Sequence, residues 1–407
     1  MKSAARWAGE FAKSLVCGLS ALACASAARA ADGVWTRASD GNWADAGNWS
    51  VGTVANGAGS TAYFSNGTSL TVNQNVSGLT LGSLYFAWAN YWVNGSAITL
   101  DNGGAPSVVT VGGSTADGTY AYVAVPLSGA GGLTKLGPGQ LNLTAATPGT
   151  LNGPVTVTAG ALFSSATSGM PFGVGSFYLN GGALIAAPDG SGADVTLAAA
   201  SGTAGNTFAY GLGPTTLQLV KGSNTSVTLT LGNAGAAAES VLVRTNSGAL
   251  VIAPSGGTSG ANLGVAERLL VNGGVAVNNG MVSASIVGRN NDGRDAGDFL
   301  TYGASGFTVA SYADGVGGGA ASVANVTANT ATDSAQVYAL RVHDGKTLTI
   351  NGGQTLKVGD GVHPAGVILN AVSATPGMIT GGTLDFGTSE GVIYYGCRND
   401  NWEQDRI

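Results

Sequence analysis

The sequence predicts an all-β chain that coils as a β-solenoid behind a Trp-rich N-terminal cap, and three observations support this fold class. Glycine fills 68 of the 407 positions, and charged residues make up only 9% of the chain, where soluble domains average about 25%. Residues 69–73 and 79–84 alternate apolar side chains with Ser, Thr or Asn, which is the period of half-buried strands. Asn-Gly and Asp-Gly dipeptides, which favour tight turns, recur along the chain.

Residues 1–30 are expected to be a secretory signal peptide. Basic residues lie within 2–13, residues 14–27 form an apolar run, and Ala-Arg-Ala at 28–30 offers small residues for cleavage. The apolar run is too short for a stable membrane span. Cys24 suggests a lipoprotein as the alternative, but the Ala-Leu-Ala before it fits a lipobox poorly. We therefore expect an exported protein at the cell surface, on the outer membrane or outside the cell.

Charge and cysteine content exclude several classes of protein. Removal of residues 1–30 leaves 12 basic and 21 acidic residues. Because nucleic-acid binding needs basic patches, nucleic acid is not an expected partner. Two of the three cysteines, Cys17 and Cys24, lie in the expected signal peptide, and the third is Cys397. No disulfide framework is therefore expected, and the fold must be held by its core and its backbone hydrogen bonds.

Residues 31–95 are expected to form an N-terminal cap with the first coils. Two Gly-Asn-Trp triplets stand at 41–43 and 47–49, in a part of the chain that is unusually rich in tryptophan. A solenoid needs a cover, because an open end exposes core side chains and unpaired backbone groups. The alternative is an aromatic platform that binds sugars, centred on Trp43, Trp49, Trp88 and Trp92.

Residues 96–395 are expected to be solenoid repeats, and residues 396–407 an atypical tail. Within the repeats, residues 129–162 contain one charged side chain and no His or Cys, so this stretch has almost no group for catalysis. At about 22 residues per coil, the chain would make about 16 coils and a rod of about 80 Å. Residues 397–407 carry five charges and no Gly. A truncated or frameshifted gene explains this break, and a C-terminal cap is the alternative.

Two segments carry a resemblance to a known family. Residues 133–143 read LTKLGPGQLNL, and residues 152–162 read NGPVTVTAGAL. They resemble the two halves of the autotransporter-associated β-strand repeat, LTK-x-G-x-G-x-L-x-L and TG-x-T-x-V-x-x-G-x-L. The resemblance implies a right-handed parallel β-helix that is exported through an outer-membrane barrel or held at the surface by a sorting signal. The alternating strands of such a barrel do not occur here, so we expect the translocator or anchor not to be encoded in this chain.

His343 and His363, the two histidines, are the first candidates for chemistry. Each has an aspartate close by in sequence, Asp344 and Asp360. If the two histidines stacked on successive coils, the four side chains could hold a metal ion or exchange protons. Isolated residues in surface turns are the alternative that we favour.

Residues 288–298 form the segment richest in charge outside the termini. Asp292, Asp295 and Asp298 could bind Ca²⁺ through their carboxylates, although the spacing matches no EF-hand. A solvated loop that contacts a partner is the alternative. In an enzyme, these aspartates and Asp344 would be the candidate acids. We expect none of these roles, and the prediction is that the chain has no catalytic, cofactor-binding or metal-binding residue.

These observations together predict an exported, non-enzymatic passenger that acts as an adhesin or a structural stalk. Its expected partner is a glycan or a protein at a cell surface or outside the cell. The alternatives are a polysaccharide-binding protein and a β-helical polysaccharide lyase or hydrolase, which would use the same fold. A stacked core also predicts that Val157 points inward, so that Val157→Asp blocks folding.

Overall fold

The computed structural model describes residues 30–397 except 89, 114–117, 191, 255–262, 291–295 and 372–374. The expected signal peptide, apart from its last residue, and most of the tail at 396–407 lie outside the described residues. The described residues form strands and turns, with two short 3₁₀ segments at Ala46–Asn48 and Ser50–Gly52. None of their helices has the length and apolar character needed to cross a membrane. The prediction of an all-β chain is confirmed.

Two large sheets contain most of the strands. Sheet 1 has eleven strands, which are Gly33–Trp35, Gly57–Phe64, Thr80–Phe86, Ile98–Leu100, Ser107–Val111, Leu127–Ser128, Leu133–Leu136, Val155–Val157, Phe177–Leu179, Phe208–Tyr210 and Leu242–Arg244. Sheet 2 has twelve strands, which are Gly41–Asn42, Leu70–Gln74, Tyr91–Gly95, Tyr120–Val123, Gln140–Leu143, Ala161–Ser164, Ala183–Ala186, Pro214–Leu219, Ala249–Pro254, Ile286–Asn290, Ala296–Gly303 and Gly306–Val309.

Three smaller sheets complete the described structure. Sheet 3 consists of Ser168–Gly169, Asp194–Ala199, Ser226–Leu231 and Glu267–Val271. Sheet 4 consists of Ala313–Asp314, Val323–Val326, Ala339–Val342, Ala365–Ala371 and Gly391–Cys397. Sheet 5 consists of Thr330–Thr332, Ala335–Val337, Thr347–Val358 and Met378–Asp385.

The chain visits sheets 1 and 2 in turn. Leu133–Leu136 belongs to sheet 1, Gln140–Leu143 to sheet 2, and Val155–Val157 to sheet 1 again. Each return places the new strand beside the previous strand of the same sheet, in parallel. Parallel strands need a long connection between them, and here the strand of the other sheet supplies it. This pattern of several parallel sheets is consistent with a β-solenoid.

The number of residues between paired positions varies along sheet 1. Leu133 pairs with Val155, 22 positions later, in agreement with the length expected for one coil. Phe208 pairs with Leu242, which is 34 positions later. The extra residues enter the loops and the strands of sheet 3, which begins at residue 168. A spacing of 22 residues therefore occurs between Leu133, Val155 and Phe177, and the spacing is larger at Ser107–Leu133 and at Phe208–Leu242.

Antiparallel strands interrupt the parallel pairing. Ile286–Asn290 pairs antiparallel with Ala296–Gly303, which in turn pairs antiparallel with Gly306–Val309. Parallel pairing resumes in sheets 4 and 5, from residue 313 onward. We call residues 33–290 the first stack and residues 313–397 the second stack. Period-two alternation did not predict this interruption, because it is the same in parallel and antiparallel strands.

The core follows from alternation along the strands. In Ser226–Leu231, every second residue is buried and the others are half-buried, as expected when one face of each strand is turned inward. One large cluster of buried apolar side chains extends through the first stack, another fills the second stack, and a third lies between them. Val157 is fully buried, which confirms that its side chain is interior.

Candidate functional site

The four tryptophans considered as a sugar platform do not share one surface. Trp43 and Trp49 are 0% and 3% exposed, and their rings lie 5.1 Å apart within the core. Each indole N–H is bonded internally, from Trp43 to the carbonyl of Ala55 and from Trp49 to the carbonyl of Trp43. The platform interpretation is therefore wrong for these two residues, since they cannot reach a ligand. Trp88, which is 64% exposed, and the half-buried Trp92 remain available.

Trp92 belongs to a strip of aromatic side chains on the outer face of sheet 2. It pairs in register with Tyr122 on the next strand, and the two rings are stacked at 5.1 Å with an interplanar angle of 3°. The ring of Tyr120 lies 6.0 Å from that of Tyr122. Because Tyr91 and Val93 on either side of Trp92 are buried, Trp92 must point away from the core. We call Trp92, Tyr120 and Tyr122 the aromatic strip.

The two histidines do not form one site. His343 directly follows the strand Ala339–Val342, which pairs with residues 366–369. His363 lies before that partner strand, at its opposite end, so the two histidines do not stack on each other. Burial, together with the positive charge of Arg341, lowers the pKa of His343. Among the residues that the structure describes, no group of three or more His, Cys, Asp or Glu side chains could hold a metal ion. The four-residue cluster with Asp344 and Asp360 is therefore not present.

Asp298 is used in a structural ion pair. Its carboxylate accepts hydrogen bonds from the guanidinium of Arg341 and from the hydroxyl of Tyr312, and the Arg341 guanidinium lies 3.8 Å from the centre of the Tyr312 ring. Burial lowers the pKa of Arg341 to about 10, so it stays charged at neutral pH. Asp298 is thus already neutralised and does not offer a vacant cation ligand or a catalytic acid. Asp292 and Asp295 lie outside the described residues.

A polar cleft lies between the two stacks, with a volume of about 250 Å³. Tyr210, Glu239 and Arg244 line it from the first stack, and Tyr338 and His363 line it from the second. Apolar side chains from both stacks complete its wall. Concave sites with a few convergent polar groups on an apolar wall are the usual form of small-ligand sites.

His363 is held in place by Asp360. The carboxylate of Asp360 accepts hydrogen bonds from Nδ1 of His363, at 2.7 Å, and from the backbone N–H groups of Val362 and His363. These bonds lower the pKa of Asp360 to about 2, so the carboxylate is ionised at neutral pH. With Nδ1 as the donor, Nε2 of the neutral ring is an acceptor. The sequence placed this aspartate beside His363 correctly, but in a pair and not in a metal site.

Arg244 and Glu390 bridge the two stacks at the same cleft. Two guanidinium nitrogens of Arg244 donate to the two carboxylate oxygens of Glu390, at 2.6 and 2.8 Å, and Nε donates to the carbonyl of Gly248. The hydrogen bond from Arg244 lowers the pKa of Glu390, and the same bond raises the pKa of Arg244. A bidentate pair of this kind fixes both side chains and leaves no net charge.

A chain of hydroxyl groups continues the polar lining on the first stack. The hydroxyl of Tyr210 is 3.1 Å from that of Ser285, which is 2.9 Å from that of Ser283. Burial raises the pKa of Tyr210, so its phenol stays protonated. Sequence reasoning missed these residues, as well as Glu239, Arg244 and Tyr338. They come from separate strands and loops and carry no motif, so only the register of the strands brings them together.

Comparison of the chain with models of protein families, with curated proteins and with solved structures finds no match. The chemistry of the cleft and of the aromatic strip therefore has to be inferred from their own geometry.

Proposed function

We propose that the chain is an exported, non-enzymatic β-solenoid that serves as an adhesin or a structural stalk. The proposal includes a right-handed parallel β-helix, the architecture implied by the resemblance of residues 133–143 and 152–162 to the autotransporter-associated repeat. The observation that carries it is the alternation of the chain between sheets 1 and 2, with parallel pairing at every return through the first stack. Such a stack gives a long, regular surface, which suits display at a cell surface.

The tryptophan cluster supports the proposed N-terminal cap. Trp35 lies on the first strand of sheet 1, and Trp43 directly follows the first strand of sheet 2. Trp35 is 1% exposed and meets Trp49 edge-on at 5.2 Å, and both rings pack on Phe64. Large aromatic side chains at the terminal strands would shield the core of the first coil from water.

Export is the part of the proposal that one experiment tests directly. The full chain would be produced in a Gram-negative host, and the N-terminus of the protein in each cell fraction determined by mass spectrometry. We expect protein outside the cytoplasm that begins at Ala31, because Ala-Arg-Ala at 28–30 fits a signal-peptidase site. Protein that stays in the cytoplasm with residues 1–30 intact would contradict the proposal.

A second candidate function is the binding of a polysaccharide along the aromatic strip. Trp92 and Tyr122 present stacked rings on the outer face of sheet 2, and Trp88 is exposed on the loop before Trp92. Flat aromatic faces suit the C–H faces of sugar rings, because they offer apolar area at a low cost in side-chain entropy. Such a surface would turn the stalk into an adhesin for glycans.

Retention on a panel of immobilised polysaccharides tests this candidate. The purified chain would be compared with the double variant Trp92→Ala/Tyr122→Ala, and Tyr85→Ala, an exposed aromatic of sheet 1, would serve as the control. Retention that only the double variant loses supports glycan binding. Cleavage of a polysaccharide would favour a lyase or hydrolase instead. If the chain is neither retained by a polysaccharide nor cleaves one, the result supports the structural stalk.

A further inference from the structure

We propose that the cleft between the two stacks is a binding site for a single uncharged sugar ring. This site is separate from the aromatic strip, and the proposal does not depend on polysaccharide binding there. It rests on the shape of the cleft, on Tyr338, whose hydroxyl is open to the cleft and bonds to none of the described residues, and on the balance of charge around the cleft.

The size of the cleft suits a small ligand. Its volume of about 250 Å³ is slightly below the range of about 300–1,000 Å³ that is usual for drug-sized molecules. An extended oligosaccharide would not fit in it, whereas one ring with its hydroxyl groups would. Val275 and Pro364 provide apolar surface for the C–H face of the ring.

Tyr338 is the residue that most directly indicates a ligand. It is only 3% exposed, and yet it lines the cleft. No hydrogen bond joins its hydroxyl to any of the described residues, and the hydroxyl oxygen is not one of the fully buried atoms that lack a partner, so it is open to the cleft. Burial, with a contribution from the charge of Asp360, raises the pKa of Tyr338, so the hydroxyl remains a donor at neutral pH. It can therefore donate to a ligand oxygen inside the cleft.

The other polar groups complement a polyol. Glu239 lines the cleft, and no ion pair joins it to any described residue, so its carboxylate can accept hydrogen bonds from two neighbouring hydroxyl groups. The bond from Nδ1 of His363 to Asp360 fixes the ring and leaves Nε2 to bond a ligand. Ser283 adds a hydroxyl that is supported through Ser285 by Tyr210. Sugar hydroxyl groups both donate and accept, which matches this mixture.

The charge around the cleft disfavours anions. Among the described residues that line it, Arg244 is the one with a permanent positive charge, and both of its terminal nitrogens are bonded to Glu390. Glu239 adds a negative charge that would repel a phosphate, a sulfate or a uronic acid. A neutral hexose loses little on entering such a site, because it carries no charge that must be desolvated.

Titration of the purified chain with single sugars tests the proposal. The probes are glucose, galactose, mannose and N-acetylglucosamine, with glucuronate and inorganic phosphate as charged comparisons, and binding would be followed by ligand-observed NMR. We expect at least one neutral sugar to bind more tightly than either anion. Tyr338→Phe, which keeps the buried ring, and Glu239→Gln, which keeps the side-chain shape, should each weaken binding about tenfold, the effect of about 1.4 kcal/mol.

Tyr85→Phe is the control matched to Tyr338→Phe, because Tyr85 is an exposed residue of sheet 1 outside both the cleft and the aromatic strip, and the change should leave the affinity of the cleft unchanged. Circular dichroism and thermal unfolding of each variant would confirm that the fold is retained. Binding of a neutral sugar that is insensitive to both Tyr338→Phe and Glu239→Gln would overturn the proposal. So would the binding of glucuronate or phosphate in preference to every neutral sugar, or no binding of any probe at tens of millimolar.

Discussion

Lys135 is the residue that departs furthest from the apolar pattern of the core. It is fully buried on a strand of sheet 1, and its Nζ donates to three backbone carbonyls, of Leu136, Gly137 and Ala159, at 2.8–3.2 Å. Burial lowers its pKa to about 7. The three carbonyls favour the charged form, but no carboxylate among the described residues balances the charge, so the pKa remains below its usual value. Lys135 therefore ties the turn after its own strand to the turn after the neighbouring strand Val155–Val157.

The lowered pKa of Lys135 predicts a pH dependence of stability. Between pH 7 and 10.5 the unfolded chain binds the proton more tightly than the folded chain, so the contribution of Lys135 to the free energy of unfolding is lost as the pH falls through this window. We expect the free energy of unfolding of the native chain to rise relative to that of Lys135→Met between pH 7 and 9.5, by at most about 1.4 kcal/mol per pH unit. Urea unfolding at several pH values measures it. A constant difference would show that Lys135 titrates as in an unfolded peptide.

Val157 and Val155 are both fully buried, but they differ as sites for a test charge. Val157 pairs in register with Lys135, so a carboxylate at this position has a buried cation within reach. Val155 pairs with Leu133 and Phe177, which offer no partner for a charge. The expectation that Val157→Asp blocks folding is therefore better tested at Val155.

Val155→Asp should prevent folding, because an unpaired buried charge costs several kcal/mol, which is comparable to the whole stability of a typical domain. Val157→Asp should be tolerated better. Thr156→Asp is the control, since Thr156 lies between them on the outward face. Protease resistance and circular dichroism would distinguish the three. Equal resistance of Val155→Asp and Thr156→Asp would mean that the strand does not turn Val155 inward.

At the scale of the element, close contact between neighbouring turns depends on glycine. Gly160 has a φ of +62°, and a Cβ at this position would lie 2.3 Å from the carbonyl oxygen of Gly139 in the neighbouring turn. Gly103 has a nearly identical φ of +65°, but a Cβ added to it would have no other atom within 4 Å. Substitution of Gly103 therefore introduces backbone strain alone, whereas substitution of Gly160 introduces the same strain together with crowding against the neighbouring turn.

Gly160→Ala should destabilise the chain more than Gly103→Ala. Both variants place a side chain in the left-handed region, which costs about 1 kcal/mol. Gly160→Ala also forces two backbones apart, which should add about 1–3 kcal/mol, as overpacking does. Denaturant unfolding of the two variants gives the comparison. If they lost the same stability, the coils would not approach each other as closely as the structure indicates.

The sequence allowed individual strands to be predicted more reliably than their arrangement. Residues 69–73 and 79–84, which alternate at period two, fall within or next to the strands Leu70–Gln74 and Thr80–Phe86. The direction of pairing was not predictable, because alternation is the same for both directions, and so the antiparallel strands Ala296–Gly303 and Gly306–Val309 were not expected.

The candidate site was predicted less well than the fold. The tryptophans drew attention because they are rare, but composition does not show which face of a strand a residue occupies, and Trp43 and Trp49 proved to be core. The cleft joins Glu239 and Tyr338, which are far apart in sequence. Their meeting depends on the number of residues in each coil, which varies along sheet 1 and has no signature in a single sequence.

At the scale of the whole molecule, contacts across the antiparallel strands hold the two stacks together. Asp298 on one of these strands pairs with Arg341 of the second stack. The backbone N–H of Gly297 donates to the side chain of Asn370 at 2.8 Å, and Arg244 of the first stack bonds to Glu390 of the second. These contacts fix the walls of the cleft relative to each other, so a ligand there would meet a site that is already formed.

Distances between spin labels test the regular ladder of parallel strands in the first stack. One row of paired positions in sheet 1 points away from the core and offers four sites for labels, which are Thr61, Thr156, Tyr178 and Val243. The strand register connects these sites through Ser83, Val108, Thr134 and Ala209. A label at Thr61 would be paired with a label at each of the other three positions, in a chain whose cysteines are replaced by serine.

Neighbouring strands are about 4.8 Å apart, so the three distances should be about 19, 24 and 34 Å, corresponding to four, five and seven strands. Double electron–electron resonance measures distances in this range. We expect the distance between the labels to grow in proportion to the number of strands crossed, whatever the number of residues between the labels. Distances that do not increase in this order, or that are too broad to assign, would contradict the stacked architecture.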